Sequence, residues 1–174
     1  PCQIAGLKLC TMYKKQYGKS FISAMPCNMY GPNDNFHPEY SHVMQGLMRR
    51  FYDAKKSGAK EFEIWGSGKP RREYLHTDDL ADALLFLMKE YDGESTVNVG
   101  SGIDHEVSEI ASMVQKTVGY EGEIKYDTSR PDGTPRKLMD VTKIQSMGWK
   151  HKIDFESGIK GLYDWALSNN AFNS

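Results

Sequence analysis

The chain has 174 residues, of which 39% are hydrophobic and 26% charged, a composition typical of a folded globular protein rather than a disordered one. Its 22 lysines and arginines nearly balance its 23 aspartates and glutamates, so no basic surface for a nucleic acid or an acidic membrane is indicated. The longest apolar run is far shorter than the roughly 20 residues that a membrane-spanning helix needs.

The three cysteines and five histidines are scattered along the chain. Cys2, Cys10 and Cys27 form no C-x-x-C pair, and neither they nor the histidines have the spacing of metal ligands. We therefore expect no metal site and a reducing, cytoplasmic setting. A chain of this length should fold as a single compact unit over residues 1–174.

The first third of the chain predicts a helix, a strand and a second helix. Residues 3–17 have helical periodicity with apolar residues on two sides, and a helix of this kind must bury both. The nearly continuous apolar run over residues 20–28 is typical of a strand covered on both faces. A polar loop then leads to a helix over residues 41–57, with Ser41 as its N-cap.

The rest of the chain alternates strands and helices. Strands are predicted over 62–65, 72–75, 96–99 and 123–127, and helices over 78–91, about 107–118 and from Asp154 onward. Thr77 is expected to cap the helix over 78–91, and its inner stripe is expected to consist of Ala81, Leu84, Leu85 and Met88. Alternation of this kind predicts an α/β fold with a mixed sheet.

The loop between the first strand and the second helix is a candidate ligand site, because open α/β sheets bind their ligands where strands hand over to helices. His42 lies at the start of that helix, and a histidine with a pKa near neutrality can both accept and return a proton. Taken alone, His42 is better explained as a surface residue without a role, and only its polar and basic neighbours favour a function.

Two arginine pairs, Arg49–Arg50 and Arg71–Arg72, lie near the ends of these elements. Guanidinium groups match phosphate oxygens in bidentate geometry, although one member of each pair is expected to be an ordinary surface residue. Trp65 either belongs to the core or offers a flat face to a base or sugar.

Three turn features have weaker functional signals. Neither Gly66–Gly68 nor Gly100–Gly102 is followed by the helix-opening glycine spacing of a dinucleotide-binding loop. Asp132 lies in a Pro-Asp-Gly turn, where aspartate usually only forms the turn, but the rigid setting keeps a ligand role open.

Together these residues resemble the GDP-L-fucose synthase family of the extended short-chain dehydrogenase/reductase superfamily. The matching motifs run from about Gln3 to the C-terminus and are Pro26-x-Asn28-x-Tyr30-Gly31-Pro32-x-Asp34-Asn35-Phe36, Ser41-His42-Val43, Arg49-Arg50-Phe51, Trp65-Gly66-Ser67-Gly68-x-Pro70-x-Arg72-Glu73 and Pro131-Asp132-Gly133-Thr134-Pro135-Arg136-Lys137. The resemblance implies the C-terminal part of an extended Rossmann-type fold, with an incomplete mixed sheet, flanking helices and a substrate-binding lobe. Residues 1–30 and 94–118 would then be remnants of the dinucleotide-binding domain, and residues 31–93 and 119–174 mainly the substrate-binding lobe.

The resemblance also implies a reaction and roles for individual residues. The family epimerises GDP-4-keto-6-deoxy-mannose at the two carbons beside the ketone and then reduces the ketone with NADPH. His42 matches the catalytic histidine of the family. The segment beside the nicotinamide is matched by Pro26, Cys27, Asn28 and Met29. Positions that contact the GDP-sugar are matched by Arg50, Trp65, Arg72 and Asp132.

The sequence departs from the family in its cofactor machinery. The glycine-rich dinucleotide loop, the catalytic tyrosine and the epimerisation cysteine have no counterpart in it, and Cys27 is not that cysteine. Gln3 stands where the family has the lysine that partners the tyrosine, and glutamine has no charge to lower a tyrosine pKa. We therefore expect this chain alone to keep a GDP-sugar site without holding NADP or transferring hydride.

Two alternatives remain open from the sequence. The first is a non-enzymatic module that forms homo-oligomers through the two-faced helix over residues 3–17, because unburied apolar surface demands a partner. The second is half of a split enzyme, completed by a separate chain that binds the cofactor.

Overall fold

The computed structural model describes residues 2–37 and 40–173. Its helices are α1 Cys2–Tyr17, α2 Val43–Ser57, α3 Thr77–Glu90, α4 Val107–Val118, α5 Thr142–Ser146 and α6 Phe155–Ser168, followed by a 3-10 turn at Ala171–Asn173. Its strands are β1 Ala24–Pro26, β2 Asn28–Tyr30, β3 Glu61–Trp65, β4 Arg71–His76, β5 Val97–Val99, β6 Asp104–Glu106, β7 Glu123–Asp127 and β8 Arg136–Lys137. The predicted α/β fold with a mixed sheet is confirmed, whereas the short helix α5 was not predicted.

The strands form three groups. β1 pairs in parallel with β5, and β3 pairs in parallel with β7. β4 lies between β2, which runs parallel to it, and β6, which runs antiparallel, and β8 also pairs with β4. This arrangement joins the loop before β8 directly to the start of β4.

The single strand predicted over residues 20–28 is wrong, because the chain forms two short strands separated by Cys27. Pro26 has no N–H with which to continue a ladder, and the N–H of Cys27 donates to the carbonyl of Val99 at 3.0 Å. Beyond this point the chain leaves β5, and β2 pairs with β4, with Asn28 opposite Tyr74. Sequence periodicity does not indicate that the chain changes its partner strand.

Two predicted N-caps are displaced by one residue. The N-cap of α2 is His42 rather than Ser41, and that of α3 is His76 rather than Thr77. The Nδ1 atom of His76 accepts from the N–H of Asp78 at 3.2 Å. The imidazole of His76 therefore caps α3 in place of the hydroxyl of Thr77.

Two apolar clusters hold these elements together. The first, the helix-rich core, lies among α2, α4, α6 and the β3–β7 pair, and the rings of Phe51 and Phe62 stack there with centres 3.8 Å apart. The second, the sheet core, joins the β1–β5 pair to α3 and α5 through residues such as Leu87, Val99 and Ile144. No described residue of α1 belongs to either core.

The inner stripe predicted for α3 is wrong. Leu85 and Met88 are 59% and 73% exposed, and Ala81 and Leu84 are exposed as well, whereas Ala83 and Leu87 are fully buried. The reason is the buried Asp79, whose carboxylate accepts from the backbone N–H groups of residues 152 and 153 at 2.9 and 3.0 Å. Burying this residue turns the face at spacing i, i+4 and i+8 inward and leaves the more apolar face in solvent.

Helix α1 forms where it was predicted but is held mainly at its C-terminal end. Lys14 makes an ion pair of 2.6 Å with Asp92, and Ser20 donates to the same carboxylate at 2.6 Å. Ile4 and Leu9 are 66% and 57% exposed. Within the described part of the chain, no helix combines the length and apolar character that crossing a membrane requires.

Candidate functional site

The predicted residue Arg72 lies at the start of β4, against the loop over residues 129–137. Its Nη1 atom donates to the carbonyl of Thr134 and to that of Arg71, both at 2.7 Å. β8, which ends this loop, pairs with the same end of β4. The guanidinium is therefore fixed by backbone carbonyls, which leave its positive charge unneutralised.

Asp132 ties the same loop to the turn that follows β3. Its carboxylate accepts from the backbone N–H and from the hydroxyl of Ser67, each at 2.7 Å. These hydrogen bonds hold the pKa of Asp132 below its usual range. Gly66, at φ 86°, is required here, because a Cβ would lie 2.4 Å from Oδ1 of Asp132.

Arg50 contacts β3, the strand that ends with Trp65. Arg50, on α2, places its Cζ atom 4.7 Å from the centre of the Phe62 ring, and its Nη2 atom donates to the carbonyl of Glu63 at 2.5 Å. Partial burial lowers its pKa. Trp65 ends the strand with its side chain 67% exposed, under the guanidinium of Arg130 at 5.2 Å from the ring centre. Trp65 is thus a surface residue rather than part of the core.

The two members of each arginine pair have different partners. Arg49 binds Asp53 at 2.8 Å, and Arg71 binds Asp104 at 3.0 Å. Within residues 2–37 and 40–173, no carboxylate lies in ion-pair distance of Arg50 or Arg72. The second member of each pair therefore keeps a charge available for an anion.

Asp104 explains why Arg71 has a structural role. Its carboxylate also accepts from Nε of Arg136 at 2.5 Å, and the two guanidinium groups hold its pKa below the usual range. This ion-pair network joins β4, β6 and β8 beneath the loop that carries Asp132.

His42 is exposed at the start of α2, and its side chain makes no capping hydrogen bond. Among the described residues, no hydrogen bond, ion pair or ring contact joins it to Arg50, Trp65, Arg72 or Asp132. The four predicted substrate residues are thus connected through β3, β4 and their loops, whereas His42 makes no described contact with any of them.

A buried residue of α2 binds the start of the loop before His42, and sequence reasoning missed it. Gln45 is completely buried, and its Nε2 atom donates to Asp34. Asp34 also accepts from the N–H of Asn35 at 2.7 Å. The position of Gln45, one turn into an amphipathic helix beside a polar loop, was the available signal.

The predicted cofactor residues Pro26, Cys27, Asn28 and Met29 lie at the break between β1 and β2. Pro26 and Asn28 are exposed, and the Nδ2 atom of Asn28 donates to the carbonyl of Glu73 at 2.9 Å. Burial, together with the charge of Glu73, raises the pKa of the Cys27 thiol to about 12. A thiol in this state is neither a proton acceptor nor a nucleophile near neutral pH.

Glu73 is the second residue that sequence reasoning missed, although it closes one of the motifs quoted above. It is fully buried, and its carboxylate accepts from the backbone N–H groups of Gly102 and Met139 at 2.7 and 2.8 Å. A Cβ on Gly100 would lie 2.3 Å from its Oε1 atom, which explains the glycine turn after β5. Glu73 thus connects the cofactor segment to β4 and the β5 turn.

Two predictions concern groups that the structure describes only in part. The side chain of Gln3, which stands at the family's lysine position, is outside the described residues. Among the residues that are described, no group of three or more histidine, cysteine, aspartate or glutamate side chains could hold a metal ion.

The sequence profile of the NAD dependent epimerase/dehydratase family matches residues 2–100. The chain belongs to this family. Among curated relatives, the probable GDP-L-fucose synthase 1 of Oryza sativa subsp. japonica is 54% identical over 167 residues, covering 96% of this chain and 51% of the relative. The GDP-L-fucose synthase of Escherichia coli (strain K12) is 47% identical over 176 residues, covering 96% and 55%. The chain thus spans about half the length of the curated relatives it matches.

Solved structures of the family give the same picture. A GDP-L-fucose synthetase from Naegleria fowleri bound to NADP superimposes with a TM-score of 0.87 at 31% identity, over 94% of this chain and 53% of the other. A GDP-6-OMe-4-keto-L-xylo-heptose reductase from C. jejuni superimposes with a TM-score of 0.88 at 38% identity, over 96% and 59%. The predicted resemblance to GDP-L-fucose synthases and the Rossmann-type epimerase fold are confirmed.

Proposed function

We propose that this chain forms the GDP-sugar-binding part of a GDP-L-fucose synthase, with Arg50 and Arg72 at the pyrophosphate. The observation that carries the proposal is the asymmetry within the arginine pairs, since Arg49 and Arg71 are neutralised by carboxylates while Arg50 and Arg72 are not. Two guanidinium groups held by backbone carbonyls are suited to a diphosphate, because they are preorganised and lack a competing anion.

The neighbouring residues have separate roles in this proposal. Trp65 offers its exposed face to the base or sugar, and Asp132 keeps the loop over residues 129–137 closed against Ser67. The relatives named above support a GDP-sugar as the ligand, since they are GDP-L-fucose synthases.

His42 is proposed to move protons in the epimerisation steps. Its exposed imidazole, free of a capping bond, is available to take and return a proton. The neutral Cys27 thiol is not available for this role, so a second acid or base has to come from elsewhere in the intact enzyme.

The residues of this chain fit only one end of NADP. The exposed Pro26 and Asn28 lie where β1 ends, which suits the nicotinamide, but the sequence has no glycine-rich loop for the phosphates. In the intact enzyme NADPH would supply the hydride. By itself the chain is proposed to bind the GDP-sugar and not to retain NADP.

Calorimetric titration with GDP, GDP-mannose and UDP tests the proposal. We expect binding of the two guanosine ligands in preference to UDP, and a loss of about ten- to hundredfold in Arg50→Ala or Arg72→Ala, as for a hydrogen-bonded charge pair. Arg49→Ala is the matched control, since it removes the adjacent guanidinium, and should retain affinity. Equal binding of GDP and UDP, or an undiminished Arg72→Ala variant, would contradict the proposal.

A second variant separates binding from chemistry. Because no described contact joins His42 to Arg50 or Arg72, His42→Gln should bind GDP as tightly as the parent chain. A loss of affinity in this variant would make His42 a binding residue and end its proposed role in proton transfer.

We also propose that α1 forms the interface of a homo-oligomer. The supporting observation is its unburied apolar surface, including Ile4, Leu9 and Met12 at 66%, 57% and 55% exposure. Sedimentation should show a dimer or larger species that Leu9→Glu dissociates and that Lys8→Glu, the neighbouring charge change, leaves intact. A monomer at all concentrations would refute the interface.

The split-enzyme alternative makes a different prediction. If a separate chain supplies the cofactor domain, NADPH-dependent reduction of the 4-keto sugar should appear only when that chain is added. Activity of the 174-residue chain alone would contradict both this alternative and the proposed dependence on a missing cofactor site.

A further inference from the structure

A cavity of about 330 Å³ lies between β4, the segment after β5 and the start of α6, and none of the proposed GDP-sugar residues lines it. Its walls include Tyr30, Tyr74, His76, His105 and Phe155. The volume is about ten times the share of one water molecule in the liquid and lies at the lower end of small-molecule sites. The cavity can therefore hold one small molecule.

Three side chains on this wall are buried, and each has a polar atom without a hydrogen-bond partner among the described residues. Tyr30, Tyr74 and His76 are only 1%, 7% and 8% exposed. Neither phenolic hydroxyl forms a hydrogen bond with any residue in the described part of the chain. In His76, Nδ1 accepts from the N–H of Asp78, so the neutral ring carries its hydrogen on Nε2, which has no acceptor among the described residues.

Tyr30, Tyr74 and His76 all line the cavity, and the Tyr30 hydroxyl also lies close to Gly158 of α6. Among the described residues, the buried polar atoms that are cut off from solvent without a partner are Gln45 Oε1 and Tyr120 Oη. Burial raises the pKa of Tyr30, and that of Tyr74 to about 12, so both phenols remain neutral hydrogen-bond donors around neutral pH. Three residues that line one cavity therefore each carry a donor without a described protein acceptor, which acceptor oxygens of a ligand could satisfy.

The remaining wall is flat and aromatic. The ring of Phe155 stacks on His105 with centres 4.8 Å apart and an interplanar angle of 12°, and on Tyr74 at 5.8 Å and 17°. Aromatic rings in a cavity wall suit the C–H groups of a ring-shaped molecule, and hydroxyl groups of the lining suit its oxygen atoms.

The charges at the rim disfavour an anion. Asp154 accepts from the N–H and hydroxyl of Ser157, both at 3.0 Å, and these bonds hold its pKa below the usual range, so it stays negative. Lys152 is paired with Asp82 at 2.9 Å and is not available for a ligand. The occupant that matches three donors beside a fixed negative charge is a neutral one.

We propose that this cavity is a second binding site, for a neutral, hydroxyl-bearing molecule the size of a monosaccharide, held by Tyr30, Tyr74 and His76. The site is separate from the arginines of the proposed GDP-sugar site and does not depend on them.

Saturation-transfer NMR on the 174-residue chain with glucose, mannose, galactose and fucose provides the test. We expect transfer from at least one of these sugars. Tyr30→Phe and Tyr74→Phe each remove a single hydroxyl and should weaken binding about three- to tenfold, the loss expected for one neutral hydrogen bond. Tyr163→Phe, outside the cavity, is the matched control and should bind like the parent chain.

Measuring the stability of the variants to urea shows whether a loss of binding comes from misfolding. Because neither hydroxyl has a protein partner, Tyr30→Phe and Tyr74→Phe should be as stable to urea as the parent or more so. No saturation transfer, a crystal soak that shows ordered water only, undiminished binding by both variants, or preference for acetate or phosphate over the neutral sugars would overturn the proposal. GDP titration of the same variants tests the proposed GDP-sugar site independently, since changes in the cavity should leave GDP binding unchanged.

Discussion

The helix-rich core and helix α1 contain equally clear helical sequences, yet they differ in what covers their apolar side chains. In the helix-rich core, Met44, Phe51 and Leu162 are completely buried. By contrast, Leu9 and Met12 of α1 are more than half exposed. A helical pattern is a local property, but burial requires a surface supplied by distant sequence or another molecule. The comparison shows that a helical sequence alone does not bury a helix, since the described residues leave the apolar side chains of α1 exposed.

The largest expected effect comes from opening the helix-rich core. Phe51→Ala removes a fully buried ring stacked 3.8 Å from Phe62, and it should lower the free energy of unfolding by about 3–5 kcal/mol. Urea denaturation measures the change. A loss below about 1 kcal/mol would show that this core is no better packed than the surface of α1.

A smaller loss of stability is expected from changing the buried carboxylate of Glu73. Glu73→Gln keeps the shape of the side chain but replaces a carboxylate that accepts from the N–H groups of Gly102 and Met139. Losing this charge-assisted acceptor should destabilise the fold by about 1.5–3 kcal/mol in thermal or urea unfolding. Glu63→Gln, on an exposed strand position, is the control and should be close to neutral.

The ion pairs beneath the site should make stability depend on pH. The folded-state pKa of Asp104 is depressed by Arg136 and Arg71, so its contribution is present above the unfolded pKa, about 4, and is lost as pH falls through the folded value. Since its arginine partners are partly exposed, we expect only about 1 kcal/mol. Asp104→Asn should flatten the acid limb of a stability–pH curve, and an unchanged limb would contradict this assignment.

The smallest effect should come from α1 itself. Leu9→Ala removes a side chain that is 57% exposed, and in dilute solution it should change the free energy of unfolding by less than about 0.5 kcal/mol. Urea denaturation at low and high protein concentration separates two cases. A cost that grows with concentration would support a homo-oligomer through α1, whereas a large cost at every concentration would mean that Leu9 is buried within the monomer.

Much of the fold and part of the site were open to prediction from the sequence. The bounds of α1, β3, β7 and α4 follow from periodicity and from glycine C-caps such as Gly58 and Gly119, at φ 68° and 71°. The family was recognised from motifs that include Arg72 and Asp132. The relation of His42 to the other site residues could not be read from the motifs, because they carry no distances.

Hydrogen-bond partners far apart in the sequence decided the rest. Asp79 binds backbone groups more than 70 residues away and so selects the buried face of α3, while Glu73 binds Gly102 and Met139. The sequence by itself determined most of the helices and longer strands, because that choice depends on side chains a few positions apart. Only the tertiary structure decided which face of α3 is buried, which arginine of each pair lacks a carboxylate partner and where a cavity opens. Each of these depends on groups that the chain brings together only when it folds.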